Sequence, residues 1–374
     1  MEMNILDLEK EECTACAACM NTCPNGSIKM ISDEEGFLYP DVDVRVCINC
    51  GLCKLACPVI NNIVSEKNQN PDTYAAWSLD EEVRLNSTSG GIFTELSRTV
   101  ISKGGYVSGA KYLPNHLAEH TIINDENNID ILRQSKYVQS EIKFVFKNIK
   151  SLLDSGKAVM FVGTPCECGG LIKYLEKKYE NLLVVDFICR GSNSPKAYLK
   201  YLNGLKIKYK SDIKKVWFKN KINGWNKFCT KIEFENGIDY YADRYTDLYM
   251  TGYLKYNLFM RPCCSNCRFK GFPRNSDITL GDFWGIQLKD SQLDIEKGVS
   301  LVIINSAKGQ LCFDALDGKI FKEKNSIEFA IKNNPCAVKS VNIGRERQYF
   351  FDRVEESDFE EIIKSIVDKN KDEG

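Results

Sequence analysis

The sequence predicts two units of different fold class. Residues 1–60 form a small α+β unit, and residues 74–345 form a larger α/β unit with a largely parallel or mixed sheet. Eight of the 17 cysteines in this 374-residue chain lie before residue 60. In the larger unit, short apolar segments alternate with segments of helical periodicity, which is typical of α/β folds. The remaining residues predict a polar linker at 61–73 and a charged C-terminal tail at 346–374.

Composition excludes several classes of function. Lys+Arg 50 balances Asp+Glu 51, and the net charge of -1 offers no basic surface for nucleic acid. No stretch approaches the roughly 18 apolar residues of a membrane-spanning helix, and the first residues lack the features of a secretory signal. We therefore expect a cytoplasmic protein without a transmembrane segment. In a reducing cytosol, so many cysteines predict metal ligands or redox groups rather than disulfides.

The small unit contains two near-copies of one cysteine run, CTACAACMNTCP and CINCGLCKLACP. Both have the spacing C-x2-C-x2-C-x3-C-P, which in bacterial ferredoxins binds two [4Fe-4S] clusters, the fourth cysteine of each run binding the other cluster. This rule assigns Cys13, Cys16, Cys19 and Cys57 to a first cluster and Cys23, Cys47, Cys50 and Cys53 to a second. The unit is therefore predicted to be a ferredoxin-like two-cluster domain. Two zinc sites are the alternative, because these also use C-x2-C pairs.

The larger unit begins with four elements that the periodicity predicts in order. They are a strand at 73–79, a helix within 87–105 with Ser87 or Ser89 as its cap, a strand at 105–112 and a helix at 141–156. A continuous apolar strand follows at 157–163, then a helix at 170–180, a second apolar strand at 181–189 and a helix at 194–202. A strand–helix–strand succession predicts that the two apolar strands are parallel neighbours.

Two cysteines stand at the carboxyl ends of these two strands. Cys166 follows the first strand and Cys189 ends the second, so we expect them to be close in space. A third [4Fe-4S] cluster is the simplest interpretation, with Cys166, Cys189, Cys264 and Cys267 as ligands. The alternatives left open are zinc as the metal and, as substitutes for individual ligands, Cys168, Cys263 and Cys336. Cys229 and Cys312 are predicted to be ordinary buried thiols.

Other polar residues are weaker candidates for a binding site. Residues 87–91, STSGG, offer hydroxyls and backbone N–H groups at a predicted helix start, which suits a pyrophosphate as well as a plain helix cap. No G-x-G-x-x-G opens a helix after a strand, which argues against a standard nicotinamide site. The only two histidines, His116 and His120, are expected to form a surface loop pair rather than a metal site.

The sequence resembles the coenzyme F420 hydrogenase/dehydrogenase beta-subunit family. The similarity covers about residues 74–290 and includes STSGGIFTEL, SKYVQS, FVGTPC, GGLIKYL, NLLVVDFICRG, RPCCSNCRFKG and SDITLGDFWGI. It implies FAD in the α/β domain near a [4Fe-4S] cluster. The cofactor contacts that it suggests are Ser87, Thr88, Ser89, Gly90, Gly91, Lys136, Tyr137, Gln139, Gly163, Thr164, Asp282 and Trp284. Glu167 and Arg190 replace the family's usual Gln and His and leave the acceptor open.

The resemblance implies an iron–sulfur flavoprotein oxidoreductase that passes electrons between ferredoxin-type clusters and an organic two-electron acceptor through FAD. Coenzyme F420 is one such acceptor, and a redox partner protein or ferredoxin is the implied protein partner. The alternative is a non-catalytic electron-relay subunit of a larger redox complex. The catalytic residues, the acceptor, the direction of electron flow and the oligomeric state remain open at this point.

Overall fold

The computed structural model describes residues 4–63, 68 and 70–372. The strands in this part of the chain are β1 (Ile28–Ser32), β2 (Leu38–Val42), β3 (Asp72–Ser78), β4 (Tyr106–Tyr112), β5 (Ala118–Ile123), β6 (Ser140–Glu141), β7 (Val159–Gly163), β8 (Leu182–Phe187), β9 (Ile213–Asn220), β10 (Cys229–Phe234), β11 (Asp239–Asp243), β12 (Ile278–Asp282), β13 (Ser300–Ile304) and β14 (Ile320–Asn325). The α-helices are α1 (Ala18–Thr22), α2 (Leu52–Leu55), α3 (Glu81–Asn86), α4 (Ile92–Ile101), α5 (Ile129–Leu132), α6 (Val145–Asp154), α7 (Pro165–Leu175), α8 (Pro195–Tyr209), α9 (Leu248–Met250), α10 (Ala307–Asp314), α11 (Ile327–Asn333), α12 (Arg347–Arg353) and α13 (Phe359–Asp372).

The central element is a nine-stranded sheet with the order β14-β3-β13-β12-β8-β7-β4-β5-β6. Strands β12, β8, β7 and β4 are parallel neighbours, whereas β13, β3 and β14 pair antiparallel at one side. The predicted α/β domain is therefore confirmed, with a mixed sheet. The expected parallel pairing of the two apolar strands is also confirmed, because Val159 to Gly163 lie opposite Leu182 to Asp186. Their carboxyl ends meet at one edge of the sheet.

The cysteine-rich unit contains the antiparallel pair β1–β2 and the short helices α1 and α2. Most of its buried apolar residues share a core with the sheet helices, and only Cys13, Phe37 and Tyr39 form a small separate cluster. Cys16 and Cys19 belong to the same buried cluster as Phe146 of α6 and Leu171 of α7. A unit of this size buries too little apolar surface to be stable alone, so packing against the sheet helices stabilises it. Part of the predicted linker at 61–73 lies outside the described residues, and strand β3 already begins at Asp72.

The C-terminal residues differ from the predicted charged tail. They form α12 and α13, and α13 packs on α8. Phe359, Ile363 and Ile366 are buried together with Tyr201 of α8. The apolar residues recur at helical spacing and bury one face, while the charged residues occupy the other. In the described residues, no helix has the length and apolar character needed to cross a lipid bilayer.

Candidate iron–sulfur and cofactor site

The two cysteine runs fold alike. Ala15 and Ala17 of the first run have φ angles of 57° and 58°, and the corresponding Asn49 and Gly51 of the second run have 52° and 76°. Left-handed conformations at alternate positions turn successive backbone N–H groups towards one side, as in anion-binding nests. Alanine adopts this conformation at a cost, so the surrounding structure must hold it in place. The repeated backbone indicates that each run is shaped around an anionic group.

The first cavity is lined by sulfur atoms from both runs. Its cysteines are Cys13, Cys16, Cys19 and Cys57. The other walls are largely apolar and include Ile5, Leu8, Met30 and Val59. Burial raises the pKa of Cys16 to about 12, and burial likewise raises the pKa of Cys13, Cys19 and Cys57. The four cysteines would become thiolates together only around cationic metal atoms, and the resulting metal–thiolate group as a whole would be anionic.

The second cavity has the complementary set of cysteines. Its sulfur ligands would be Cys23, Cys47, Cys50 and Cys53. Cys50 is exposed and Cys53 is buried, so this cavity opens towards solvent on one side. The Cys23 Sγ lies 3.1 Å from the Ser27 Oγ. In both cavities the fourth cysteine comes from the other run, which is the grouping that the sequence predicts.

The donor chemistry of these cavities fits an iron–sulfur cluster. Among residues 4–63, 68 and 70–372, no three His, Cys, Asp or Glu side chains converge as they would around one metal ion. A single zinc ion would require its thiolates at about 2.3 Å. Sulfur atoms spaced around a cavity instead suit a group whose several iron atoms each bind one thiolate. The four cysteines around each cavity match the four thiolates that one [4Fe-4S] cluster requires.

The third set of cysteines gathers at the carboxyl ends of β7 and β8. Cys166 lies in the first turn of α7, and Cys189 follows β8. Burial, the Glu167 carboxylate and the thiols of Cys267 and Cys189 raise the pKa of Cys166 well above its ordinary value. Burial and the neighbouring thiols of Cys264 and Cys267 raise the pKa of Cys189 in the same way. The four predicted ligands are thus electrostatic neighbours, although the assignment of a cluster to them remains a prediction.

The alternative ligands occupy different positions. The Cys168 thiol is fully buried and lies 3.6 Å from the Val185 carbonyl oxygen, within the core below α7. Cys263 contacts the Cys264 thiol. The Cys336 carbonyl oxygen accepts a hydrogen bond of 2.7 Å from Lys270. Cys263 and Cys336 therefore border the third set, whereas Cys168 packs in hydrocarbon.

The STSGG segment forms a tight turn before α4. Gly91, with a φ angle of 92°, is the N-cap of α4, so the predicted serine cap at Ser87 or Ser89 is wrong. A Cβ at Gly90 would lie 2.4 Å from the Ala76 carbonyl oxygen, which explains why only glycine fits there. The Ser89 Oγ donates to the Val299 carbonyl oxygen at 2.7 Å. The turn is therefore held against the ends of β3 and β13.

A buried ion pair that the sequence did not predict lies beside this turn. Lys219 of β9 forms an ion pair with Asp282, and the Trp225 Nε1 donates to the same carboxylate at 2.9 Å. The Trp225 ring stacks on Trp284 at a centroid distance of 4.8 Å. Tyr137 also contacts Lys219. The structure thus brings together three predicted cofactor residues, Tyr137, Asp282 and Trp284, around a lysine that no sequence motif identifies.

The other predicted cofactor residues make local contacts. The Lys136 ammonium donates to the carbonyl oxygens of residues 132, 133 and 134, which closes its own turn. The Gln139 Oε1 accepts a hydrogen bond of 3.1 Å from the Leu38 N–H of β2, so this side chain joins the two units. Thr164 and Glu167 form a capping box at the start of α7. Gly163 is the last residue of β7, and the Thr88 Oγ1 accepts from the Ser135 N–H at 2.9 Å.

The two histidines are buried, which corrects the expectation of a surface pair. His116 is 8% exposed and His120 is 5% exposed. His120 Nδ1 lies 2.9 Å from the Ser140 Oγ, and its Nε2 lies 3.3 Å from the Val162 carbonyl oxygen. Burial lowers the pKa of both imidazoles. His120 lies on the covered face of β5, where it alternates with the half-buried Glu119 and Thr121, and the loop-like sequence around it did not indicate a strand.

The fold and these sulfur sets define an iron–sulfur redox protein. A family model for a 4Fe-4S dicluster domain matches residues 12–61, and the model for the C-terminal part of the coenzyme F420 hydrogenase/dehydrogenase beta subunit matches residues 156–329. The chain therefore combines a 4Fe-4S dicluster domain with a later region that matches the C-terminal part of the coenzyme F420 hydrogenase/dehydrogenase beta-subunit family. The resemblance found in the sequence is confirmed.

Two relatives and one solved structure show the extent of the similarity. The F subunit of the F(420)H(2) dehydrogenase of Methanosarcina mazei is 20% identical over 195 residues, 50% of this chain and 55% of that protein, so this chain spans about half its length. An uncharacterized ferredoxin of Methanocaldococcus jannaschii is 32% identical over 66 residues, 17% of this chain and 84% of the ferredoxin. A chain of the F420-reducing [NiFe] hydrogenase complex of Methanosarcina barkeri is 17% identical with a TM-score of 0.48, covering 83% of this chain and 97% of that one.

Proposed function

We propose that this protein is an iron–sulfur flavoprotein oxidoreductase that exchanges electrons between ferredoxin-type clusters and an organic two-electron acceptor through FAD. The observation that carries the proposal is the position of the third cysteine set. It lies at the sheet edge where β8 pairs with β12, and β12 ends at Asp282 of the buried ion pair. Coenzyme F420 is the acceptor that the family relationship suggests. Open α/β sheets bind ligands at this edge.

The protein's own residues would hold and insulate the redox groups. The cysteines that line the two cavities would be the ligands of the first two clusters, and Cys166, Cys189, Cys264 and Cys267 those of the third. When bound, the clusters would carry single electrons and FAD would couple these to two-electron chemistry. The apolar walls around Cys16 and Cys19 exclude water. Burial and hydrogen bonds to sulfur set the potentials of such clusters.

For the flavin, we propose the region between the 87–91 turn and the Lys219–Asp282 pair. The backbone of the turn approaches β3 and β13 closely, and the Lys221 ammonium donates to the Ser89 carbonyl oxygen at 2.5 Å. Asp282 compensates the charge of Lys219, so Lys221 is the cation that would face the phosphates of FAD. Burial lowers the pKa of Lys221 to about 7, and a bound phosphate would favour its charged form. Asp282 and Trp284 would form its wall.

We further propose that a small one-electron carrier protein docks at the second cavity. Cys50 is exposed there, and the neighbouring apolar side chains are exposed as well: Val46 by 46%, Ile48 by 62% and Leu55 by 60%. Exposed apolar groups that surround a redox centre are typical of transient interaction sites, and electron-transfer interfaces are small. The four cysteines of the first cavity are all buried, so that cavity has no exposed cysteine comparable to Cys50.

Anaerobic purification followed by reduction and reoxidation tests the proposed function. We expect about twelve iron atoms per chain, corresponding to three [4Fe-4S] clusters, together with extractable FAD. After reduction by dithionite, the protein should be reoxidised by one of coenzyme F420, a nicotinamide, a quinone or a pyrrole. Reoxidation by F420 alone would identify the acceptor. Bound zinc in place of iron would contradict the proposal.

An electron-relay subunit without bound flavin is the second candidate function. It is favoured by the packing of Trp225, which is 1% exposed and stacks on Trp284 so that the two indoles fill space beside Asp282. A relay would contain iron but no flavin, and its reduced form would transfer electrons only to a partner protein. The flavin content therefore separates the two candidates.

A further inference from the structure

Arg261 lies between the first cysteine cavity and the segment 262–267, which carries Cys264 and Cys267. Its side chain is buried, and its Nε donates a hydrogen bond of 2.7 Å to the Cys13 carbonyl oxygen. The Arg261 carbonyl oxygen accepts from the Cys264 N–H at 3.0 Å. The Ser192 carbonyl oxygen accepts from the Arg261 N–H, and the Ser192 N–H lies 3.4 Å from the Cys264 Sγ. One residue therefore joins the predicted ligand loops of two clusters.

The guanidinium is only partly satisfied by the protein. It stacks over the rings of Tyr39 and Phe37 at 4.0 and 5.4 Å from their centroids. Its Nη1 and Nη2 atoms are buried, and within the described part of the chain no oxygen or nitrogen atom accepts a hydrogen bond from them. No carboxylate in the described residues forms an ion pair with Arg261. The buried guanidinium instead interacts with the Cys13 thiol.

Such a charge is strongly destabilising unless an anion compensates it. The groups near Arg261 that can become anionic are Tyr39 and the thiols of Cys13, Cys263 and Cys264. Tyr39 faces the guanidinium with its ring, whose centroid is 4.0 Å away. Cys13 and Cys264 are predicted cluster ligands, one from each of two clusters, and as ligands they would be thiolates. They are therefore the anions that would compensate the charge of Arg261, and Cys263 borders the same set.

We propose that Arg261 is a positioning residue whose positive charge is shared by the first ferredoxin-type cluster and the third cluster, and that it raises the reduction potentials of both. A nearby positive charge favours the more negative, reduced form of a cluster, so its removal lowers the potential. Among the described residues that line the second cavity there is no arginine or lysine, and Arg45, two positions before Cys47, is exposed and paired with Asp43. This inference rests on the iron–sulfur part of the proposed function and is independent of the flavin.

The test compares Arg261→Gln and Arg261→Lys with the wild type by anaerobic redox titration monitored by electron paramagnetic resonance. In Arg261→Gln we expect the one-electron reduction of the first and third clusters to become at least tenfold less favourable, so that their reduction potentials fall by about 59 mV or more. The reduction potential of the second cluster should be unchanged. Arg261→Lys keeps the charge and should retain most of the wild-type potentials. Arg45→Gln is the matched control and should shift the reduction potential of none of the clusters to this extent.

The outcomes separate a charge effect from a packing effect. Loss of iron in Arg261→Gln, with iron and potentials retained in Arg261→Lys, would support the proposal. Unchanged potentials in Arg261→Gln, or equal loss of iron in both variants, would overturn it. A wild-type protein without a third cluster or without FAD would instead contradict the proposed function. In that case the potential of the first cluster would still decide the role of Arg261.

Discussion

Gly170 of α7 lies directly against Cys16 of the first cysteine run. A Cβ at Gly170 would be 2.8 Å from the Cys16 Cβ and 2.9 Å from its Sγ. The same helix carries Cys166 in its first turn. Helix α7 therefore contacts the first cavity and contributes a predicted ligand of the third cluster, and this close approach requires a residue without a side chain.

Gly170→Ala should disturb the first cluster. The added methyl group would displace Cys16 and should destabilise the protein by about 1–3 kcal/mol, as other overpacking substitutions do. Thermal unfolding and iron content under anaerobic conditions measure both effects. Gly204→Ala in α8 is the control, because a Cβ added there would meet nothing within 4 Å, and it should stabilise by roughly 0.5–1 kcal/mol. Equal behaviour of the two variants would refute the proposed contact.

Cys57→Ser should remove the first cluster although Cys57 belongs to the second run. The reason is that Cys57 lines the cavity of Cys13, Cys16 and Cys19. The electron paramagnetic resonance spectrum of Cys57→Ser should match that of Cys16→Ser and differ from that of Cys50→Ser. Each of the three variants should lose about four iron atoms. Cys312→Ser is the control and should keep all the iron. A match between Cys57→Ser and Cys50→Ser would show that each run holds its own cluster.

Asp282→Asn should destabilise the protein and lower its flavin content. It leaves the buried Lys219 ammonium without a counter-charge, which typically costs about 3–5 kcal/mol. The double variant Lys219→Met/Asp282→Leu removes both charges and should recover most of the stability. If the pair contacts the cofactor, the double variant should still lack flavin. Recovery of flavin together with stability would assign the pair a structural role only.

The stability of the protein should fall at acid pH because of its buried histidines. Burial lowers the pKa of His120 in the folded state, whereas an unfolded histidine titrates near 6.5. Below that value the unfolded state binds more protons, so the stabilisation present above about pH 6.5 is lost as the pH falls, by up to about 1.4 kcal/mol per pH unit. Thermal unfolding of His120→Gln between pH 7.5 and 5.5 should show a weaker pH dependence than that of the wild type. An identical dependence would exclude His120 as its source.

Ile48→Glu should slow electron transfer from a protein carrier. The substitution places a charge on the exposed apolar surface beside Cys50, where we propose that a carrier docks. Stopped-flow reduction by a reduced ferredoxin should be at least tenfold slower at equal concentrations, whereas reduction by dithionite should be unchanged. Ile207→Glu on α8 is the control, because Ile207 is 67% exposed and lies outside this surface. Equal rates for the two variants would place the docking site elsewhere.

Several features could be predicted because they depend on nearby residues. The spacing of each cysteine run is a local property, and so is the succession of apolar strand, helix and apolar strand that makes β7 and β8 parallel. This succession predicted that Cys166 and Cys189 would lie close together, and in the structure their thiols interact electrostatically. The helices of the C-terminal residues were missed because their charged side chains concealed an apolar face that packs on α8.

The sequence by itself determined the class of the protein, its cysteine sets and the parallel strands that end beside the third set. Only the tertiary structure decided which residues, distant in the sequence, lie beside the cysteines and beside Asp282. Arg261 reaches Cys13 across 248 positions, and Lys219 reaches Asp282 across 63. No periodicity or motif in the sequence indicates either contact, because each depends on how separate elements pack and on which buried charges remain to be compensated.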